Sequence, residues 1–229
     1  MNAFVIAPRR AVRALVQLAA ACVLLAVAAC HSRPQRVLTD ADYPGELLPP
    51  AALGADLLWQ QRVTASWGDG EQRGFDAAVQ KQGDVLTVIG LSPLGQAGFV
   101  MVQRGLQVTS ENHTDMHLPF PPRYVLLDVQ RAFFAWLPPV DATGAADGER
   151  EGIVGQERIV EVHKDGRLVE RRFTRLDGKP AGAIVVRYEW AGTDASRRAP
   201  ARAVLDNGWF GYRMTVDTHT EAALPPEGA

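Results

Sequence analysis

The groups in this 229-residue sequence with chemistry to offer are two cysteines, five histidines and scattered serines and carboxylates. Cys30 directly follows the small-residue run Leu25-Ala26-Val27-Ala28-Ala29, and Cys22 follows Leu18-Ala19-Ala20-Ala21. Such a thiol is a nucleophile beside a stretch that a signal peptidase can cut. His113, Asp115 and His117 form a His-x-Asp-x-His cluster, which has the ligand types zinc accepts. A zinc site needs three or four ligands gathered in one place, and no HExxH frame or cysteine pair accompanies this cluster. Ser66, Ser92, Ser110 and Ser196 stand outside any Gly-x-Ser-x-Gly elbow, and His163 and His219 fall on or beside expected strands. A hydrolase would have to rest on His113 or His117. The expectation is therefore a protein without enzymatic activity, metal or cofactor.

The two ends of residues 1–29 explain why Cys30 matters. Arg9, Arg10 and Arg13 precede an uncharged run from Ala14 to Ala29, interrupted only by Gln17. A basic segment, an apolar segment and small residues before a cut make a secretion signal. The run is shorter than the roughly 20 residues a membrane-spanning helix needs. No polar and aromatic residues follow Arg9-Arg10 as twin-arginine export requires, so ordinary export is expected. The Leu25 to Cys30 stretch resembles the lipobox of bacterial lipoproteins, in which the thiol is acylated before the signal is removed. The resemblance implies that Cys30 is the lipidated N-terminus. Cutting before Cys22 would leave an apolar run of only about eight residues, at the low end for a signal.

Removal of residues 1–29 takes away three arginines and no acid, so the net charge of −2 becomes −5. A chain this acidic lacks the basic footprint that nucleic acid requires. With Cys22 removed and Cys30 acylated no disulfide can form. An apolar core must then supply the stability, and the remaining residues suffice for one domain.

Residues 30–55 carry Pro34, Pro44, Pro49 and Pro50, which fix φ and remove donors, and are expected to be a tether. From Trp59 the apolar pattern has period two: Trp59, Gln61, Val63, Ala65 and Trp67 share one face, then Phe75, Ala77 and Val79 alternate. Val85 to Leu91, Ala97 to Arg104 and Leu106 to Ser110 continue the series. The second half reads Arg158 to Lys164, Arg167 to Arg175, Ala183 to Trp190, Ala201 to Leu205 and Trp209 to Thr218. Asp165-Gly166, Asp177-Gly178 and Asn207-Gly208 supply hairpin turns. About ten strands at this spacing predict a large curled antiparallel sheet or partial barrel.

One segment departs from period two. After Pro121-Pro122, a helical period runs from Arg123 to Leu137, where Pro138-Pro139 stop it. Val125, Leu126, Val129, Ala132, Phe133, Trp136 and Leu137 span an arc of roughly 140°. Tyr124, Leu127 and Phe134 lie on the other side, so the helix has more apolar surface than a simple sheet cover requires.

A lipoprotein signal, a tether, curled hairpins, an apolar helix and further hairpins resemble LolB, the outer-membrane lipoprotein receptor, and its carrier LolA. The most specific stretch is Leu91-Ser92-Pro93-Leu94-Gly95-Gln96. The chain is also similar to a lipoprotein family encoded beside aryl-polyene and fatty-acid-synthase-like gene clusters, through that stretch and Asn207-Gly208-Trp209-Phe210-Gly211-Tyr212-Arg213-Met214.

The resemblance implies a mainly β (α+β) fold, an incomplete antiparallel barrel capped by an apolar helix over residues 56–220, with 221–229 as a tail. It implies that Pro93, Leu94 and Gly95 form a loop touching the membrane, while Val125, Val129, Phe133 and Trp136 line a cavity for an acyl or polyene lipid, or for lipoprotein acyl chains. By the same resemblance the protein is anchored in the outer membrane facing the periplasm, because His31 and Ser32, not Asp, follow Cys30. A periplasmic carrier protein is an expected partner. The alternative class is an assembly lipoprotein that holds a partner protein on the same sheet. Lys164, Arg167, Arg171, Arg172 and Arg175, with Arg187, crowd one region; they could meet anionic headgroups or an acidic carrier protein, and are read first as a solvated strand face balanced by Glu161 and Glu170.

Overall fold

Alternating apolar residues dictate a sheet with one buried face, and a computed structural model shows how it is built. The structure describes residues 43–225 except 69, 114–120, 139–146, 180 and 193–197. The described residues fall within the unit Leu38–Ala229. The strands are β1 (Leu57–Trp67), β2 (Gln72–Gln82), β3 (Val85–Leu91), β4 (Ala97–Arg104) and β5 (Gln107–Asn112), then β6 (Gly148–Val154), β7 (Glu157–Lys164), β8 (Arg167–Arg175), β9 (Ile184–Glu189), β10 (Arg202–Asn207) and β11 (Tyr212–Ala223). One helix, α1 (Pro122–Phe133), separates the two groups.

All eleven strands form one antiparallel sheet in the order β5-β4-β3-β2-β1-β11-β10-β9-β8-β7-β6. Every hydrogen-bonded neighbour except the β1/β11 pair is also a sequence neighbour, as short hairpins produce. Asp165 and Gly166 both have positive φ, at 51° and 70°, as the type I′ turn between β7 and β8 requires. The sheet does not close, since β5 and β6 are its two edges. The connection containing α1 runs from one edge strand to the other, which brings the helix against the inner face. Phe99 and Met101 on β4, Trp59 on β1, Leu205 on β10 and Phe173 on β8 are buried on that face or beneath the helix.

The expected fold class is the observed one: mainly β, antiparallel and unclosed, with one apolar helix among the described residues. Three details differ. Strand β6 was not anticipated because Gly148-Glu149-Arg150-Glu151 carries no apolar alternation; an edge strand tolerates this, since charge there discourages pairing with another chain. The helix ends at Phe133, not Leu137, and Phe134 is extended at φ −88° and ψ 155°. Its last carbonyls are taken by side chains: Arg131 O accepts from Arg171 Nη1 at 2.8 Å, and Gln130 O from Trp136 Nε1 at 2.9 Å. Leu137 then packs over Gly152 of β6, where a Cβ would approach within 2.5 Å.

The third difference concerns residues 43–55, the described part of the segment expected to be a tether. From Tyr43 onward the chain is a strap on the domain, with Tyr43, Pro44 and Pro50 buried and a 3-10 turn over Pro50–Leu53. The prolines stiffen this segment as expected, but Tyr43, Leu47 and Leu48 supply apolar contacts that fasten it. Among the described residues no helix is long and apolar enough to cross a membrane.

Candidate functional site

Helix α1 is buried on almost every side, and its two faces do different things. Val125, Val129 and Phe133 face an apolar cleft whose floor is the inner surface of the sheet, including Val63, Val79 and Val216. Trp59 and Phe133 meet there with ring centroids 5.0 Å apart. The free space is about 40 Å³, enough for a water-sized probe and well below the roughly 300–1,000 Å³ of ligand pockets. In this state the interior is nearly filled.

Beside this apolar face, starting with Asp128 at the edge of the cleft, α1 carries charge into the core. Asp128 accepts hydrogen bonds from the hydroxyls of Tyr43 and, at 2.5 Å, Tyr212. Asn207 Nδ2 in turn donates to both hydroxyls, at 3.0 and 2.8 Å. Burial pushes the Asp128 carboxyl up, against the opposing pull of Arg131 and the two tyrosines. The same burial, reinforced by the charge of Asp128, raises both tyrosines. One turn along, Arg131 Nη2 donates to Glu157 Oε1 at 3.0 Å and to Pro44 O at 2.7 Å. Its guanidinium lies 4.8, 5.3 and 5.4 Å from the rings of Tyr43, Phe173 and Trp209. Gly45, at φ 97°, passes so close that a Cβ would come within 2.6 Å of Glu157 Oε2. Gln130 completes the row, bonding Leu48 through both its N–H and its carbonyl and donating to Gln103 Oε1, all at 2.8 Å. Polar groups thus fasten α1 to the strap and sheet.

Of the residues expected to line a lipid cavity, Val125, Val129 and Phe133 border the apolar cleft and Trp136 stands apart from it. Beyond the end of α1, Trp136 lies edge-on to Phe173 at 5.2 Å and is core. Leu94 is 86% exposed at the tip of the β3–β4 turn, and Pro93 and Gly95 beside it are exposed too. The turn is closed by Gly95 N–H donating to Ser92 O at 2.8 Å.

The basic cluster is mostly neutralised: Arg171 is buried against Glu161 at 2.8 Å, Arg172 and Arg187 flank Glu170, and Arg175 pairs with Asp177. Burial pushes Tyr188 up to about 12, so its hydroxyl stays protonated and donates to Arg131 O at 3.4 Å. His113 is exposed beside Glu111. Asp115, His117, Ser196 and Cys30 lie outside the described residues. Among the described residues no group of three metal-ligating side chains occurs. The Tyr43–Asp128–Arg131–Glu157 network was missed because its members are far apart in sequence. Its trace was the surplus of apolar residues around Asp128, Gln130 and Arg131, which a solvent-facing side would not carry.

Solved structures similar to the chain include the following three. A LolA superfamily protein from Nitrosomonas europaea is 12% identical with a TM-score of 0.44, over 75% of this chain and 88% of that one. A domain described as an outer membrane lipoprotein-sorting protein from Vibrio parahaemolyticus is 8% identical with a TM-score of 0.41, over 76% and 87%. A DUF1329 family protein from Desulfovibrio piger is 10% identical with a TM-score of 0.40, over 74% and 85%. No curated protein matches the chain. The family model described as protein of unknown function DUF3261 matches residues 58–220, from the first strand to the last, and the chain belongs to that family.

Proposed function

We propose that this is a membrane-tethered carrier that takes up one hydrocarbon chain between α1 and the inner face of the sheet and delivers it to a membrane. The observation that supports this is the apolar cleft beneath Val125, Val129 and Phe133. Because the cleft is nearly closed, a chain enters only as α1 lifts, and the ligand then covers the surface the helix uncovers. Each methylene removed from water contributes about 0.8 kcal/mol, so ten supply about 8 kcal/mol toward that opening. Acylation of Cys30 would anchor the domain to the outer membrane, and the exposed Leu94 with Pro93 and Gly95 would meet the lipid surface. A periplasmic carrier protein would hand over the cargo, an acyl or polyene lipid.

Native mass spectrometry of protein purified without detergent should show a bound lipid. Leu94→Glu should leave folding intact and slow lipid transfer to vesicles; an unchanged transfer rate would remove Leu94 from the mechanism. The near-filled interior favours one second reading, an assembly lipoprotein that holds a partner on its sheet. A lipid-free protein carrying a stoichiometric partner in the same experiment would select it and overturn the carrier.

A further inference from the structure

A second, larger cavity opens where β7 turns into β8 and where the chain enters β10. It measures about 540 Å³, within the roughly 300–1,000 Å³ range of small-molecule sites. Phe133, Phe134 and Trp190 form its apolar wall, and His163, Arg167 and Arg198 line the rest. The guanidinium of Arg167 stands 5.2 Å from the centre of the Trp190 ring. Its Nη1 is buried without a hydrogen-bond partner, as is Nδ1 of His163. A buried donor left unpaired costs stability, so an acceptor belongs there.

Nearby charges do not supply one. Glu161 and Arg131 O already accept from Arg171, also on this wall. Asp165, the one carboxylate among the lining residues, is exposed at the turn. Among the described residues, neither Arg167 nor Arg198 has a side-chain ion pair, whereas Arg172, Arg175 and Arg187 each do. The cavity adjoins the cleft described above: Ala132 and Phe133 line both. A molecule with its charge beside Arg167 therefore has an apolar space directly past Phe133.

We propose that this groove holds the anionic head, a phosphate or a carboxylate, of an amphiphile whose hydrocarbon tail enters the cleft under α1. The inference rests on the carrier reading and adds the polarity of the cargo and the direction it lies. Following the antiparallel strands from the β7–β8 turn to the β3–β4 turn puts the head group and Leu94 at opposite ends of the sheet. Arg167 and Arg198 would recognise the charge, since hydrogen bonds from a guanidinium to an anion are among the strong ones.

The test titrates the full chain, carrying Cys30→Ser to remove the acylation site, with dodecyl phosphate, dodecanoate, dodecanol and inorganic phosphate. Heat of binding and tryptophan fluorescence are read together. Dodecyl phosphate and dodecanoate should bind at least about tenfold more tightly than dodecanol, and R167Q/R198Q should bring them down to the dodecanol level. Arg198→Gln alone, at an exposed position, should lose part of that preference and serves if the double variant fails to fold. If dodecanol binds as tightly as dodecyl phosphate and the arginine changes leave both unaffected, the carrier reading stands and the head-group site falls. If inorganic phosphate binds as tightly as dodecyl phosphate, the groove is an ion pocket and the amphiphile is rejected. If no amphiphile binds, both readings fall.

Discussion

The side chain with the most at stake is Arg131, a fully buried guanidinium held between Glu157, a main-chain carbonyl and three aromatic rings. Taking two charges out of water is offset only when their geometry and remaining hydrogen bonds are good. Removing one partner is therefore far worse than removing both. Arg131→Ala should lower stability by about 3–5 kcal/mol, because Glu157 is left buried and uncompensated. The double change Arg131→Met with Glu157→Leu should recover the part of that loss that comes from Glu157, while Asp128, 3.6 Å from Arg131 Nη1, still loses its cation. Urea unfolding midpoints of the single and double variants decide it. Equal losses in both would mean that Arg131 contributes mainly through Asp128 and the rings it touches.

At the scale of elements, the period-two pattern located ten of the eleven strands because each hairpin buries one face of the sheet. Ile184, Val186 and Tyr188 on β9 alternate cleanly and are buried. The edge strand β6 was illegible for the same reason: with charges at Glu149, Arg150 and Glu151 it has no buried face to mark it. The helix was legible at its start, where Pro122 removes a donor that would be unpaired anyway. Its end was not, because side chains of Arg171 and Trp136, distant or downstream in sequence, take the carbonyls another turn would use. That misplacement carried Trp136 onto the wrong surface, whereas Val125, Val129 and Phe133, within the true helix, fell where the period put them. Since Trp136 is buried edge-on against Phe173, Trp136→Ala should cost about 3–5 kcal/mol. A thermal or urea unfolding measurement giving less than about 1 kcal/mol, the scale of an exposed site, would return the ring to a cavity wall.

For the whole molecule, the arrangement of polar and apolar contacts around α1 defines what can move. The helix rests on the sheet through Val125, Val129 and Phe133, and is fastened by Asp128, Gln130 and Arg131 to the strap, to β11, to β4 and to β7. With only about 40 Å³ free beneath it, uptake of a hydrocarbon requires two arrangements of one packed element, and a ligand favours the open one only through its differential affinity. Gln103 of β4 and Gln130 of α1, joined by a 2.8 Å hydrogen bond, give a place to forbid the open arrangement. Cysteines at both positions, buried while α1 is closed, can be bridged by a short bis-maleimide as the helix opens, in a chain carrying Cys22→Ser and Cys30→Ser. The bridged protein should fail to take up a fluorescent fatty acid, while the unbridged cysteine pair should bind it as the parent does. Uptake that persists with the bridge in place would mean that the interior admits its ligand without α1 leaving the sheet. The filled cleft would then need another route of entry.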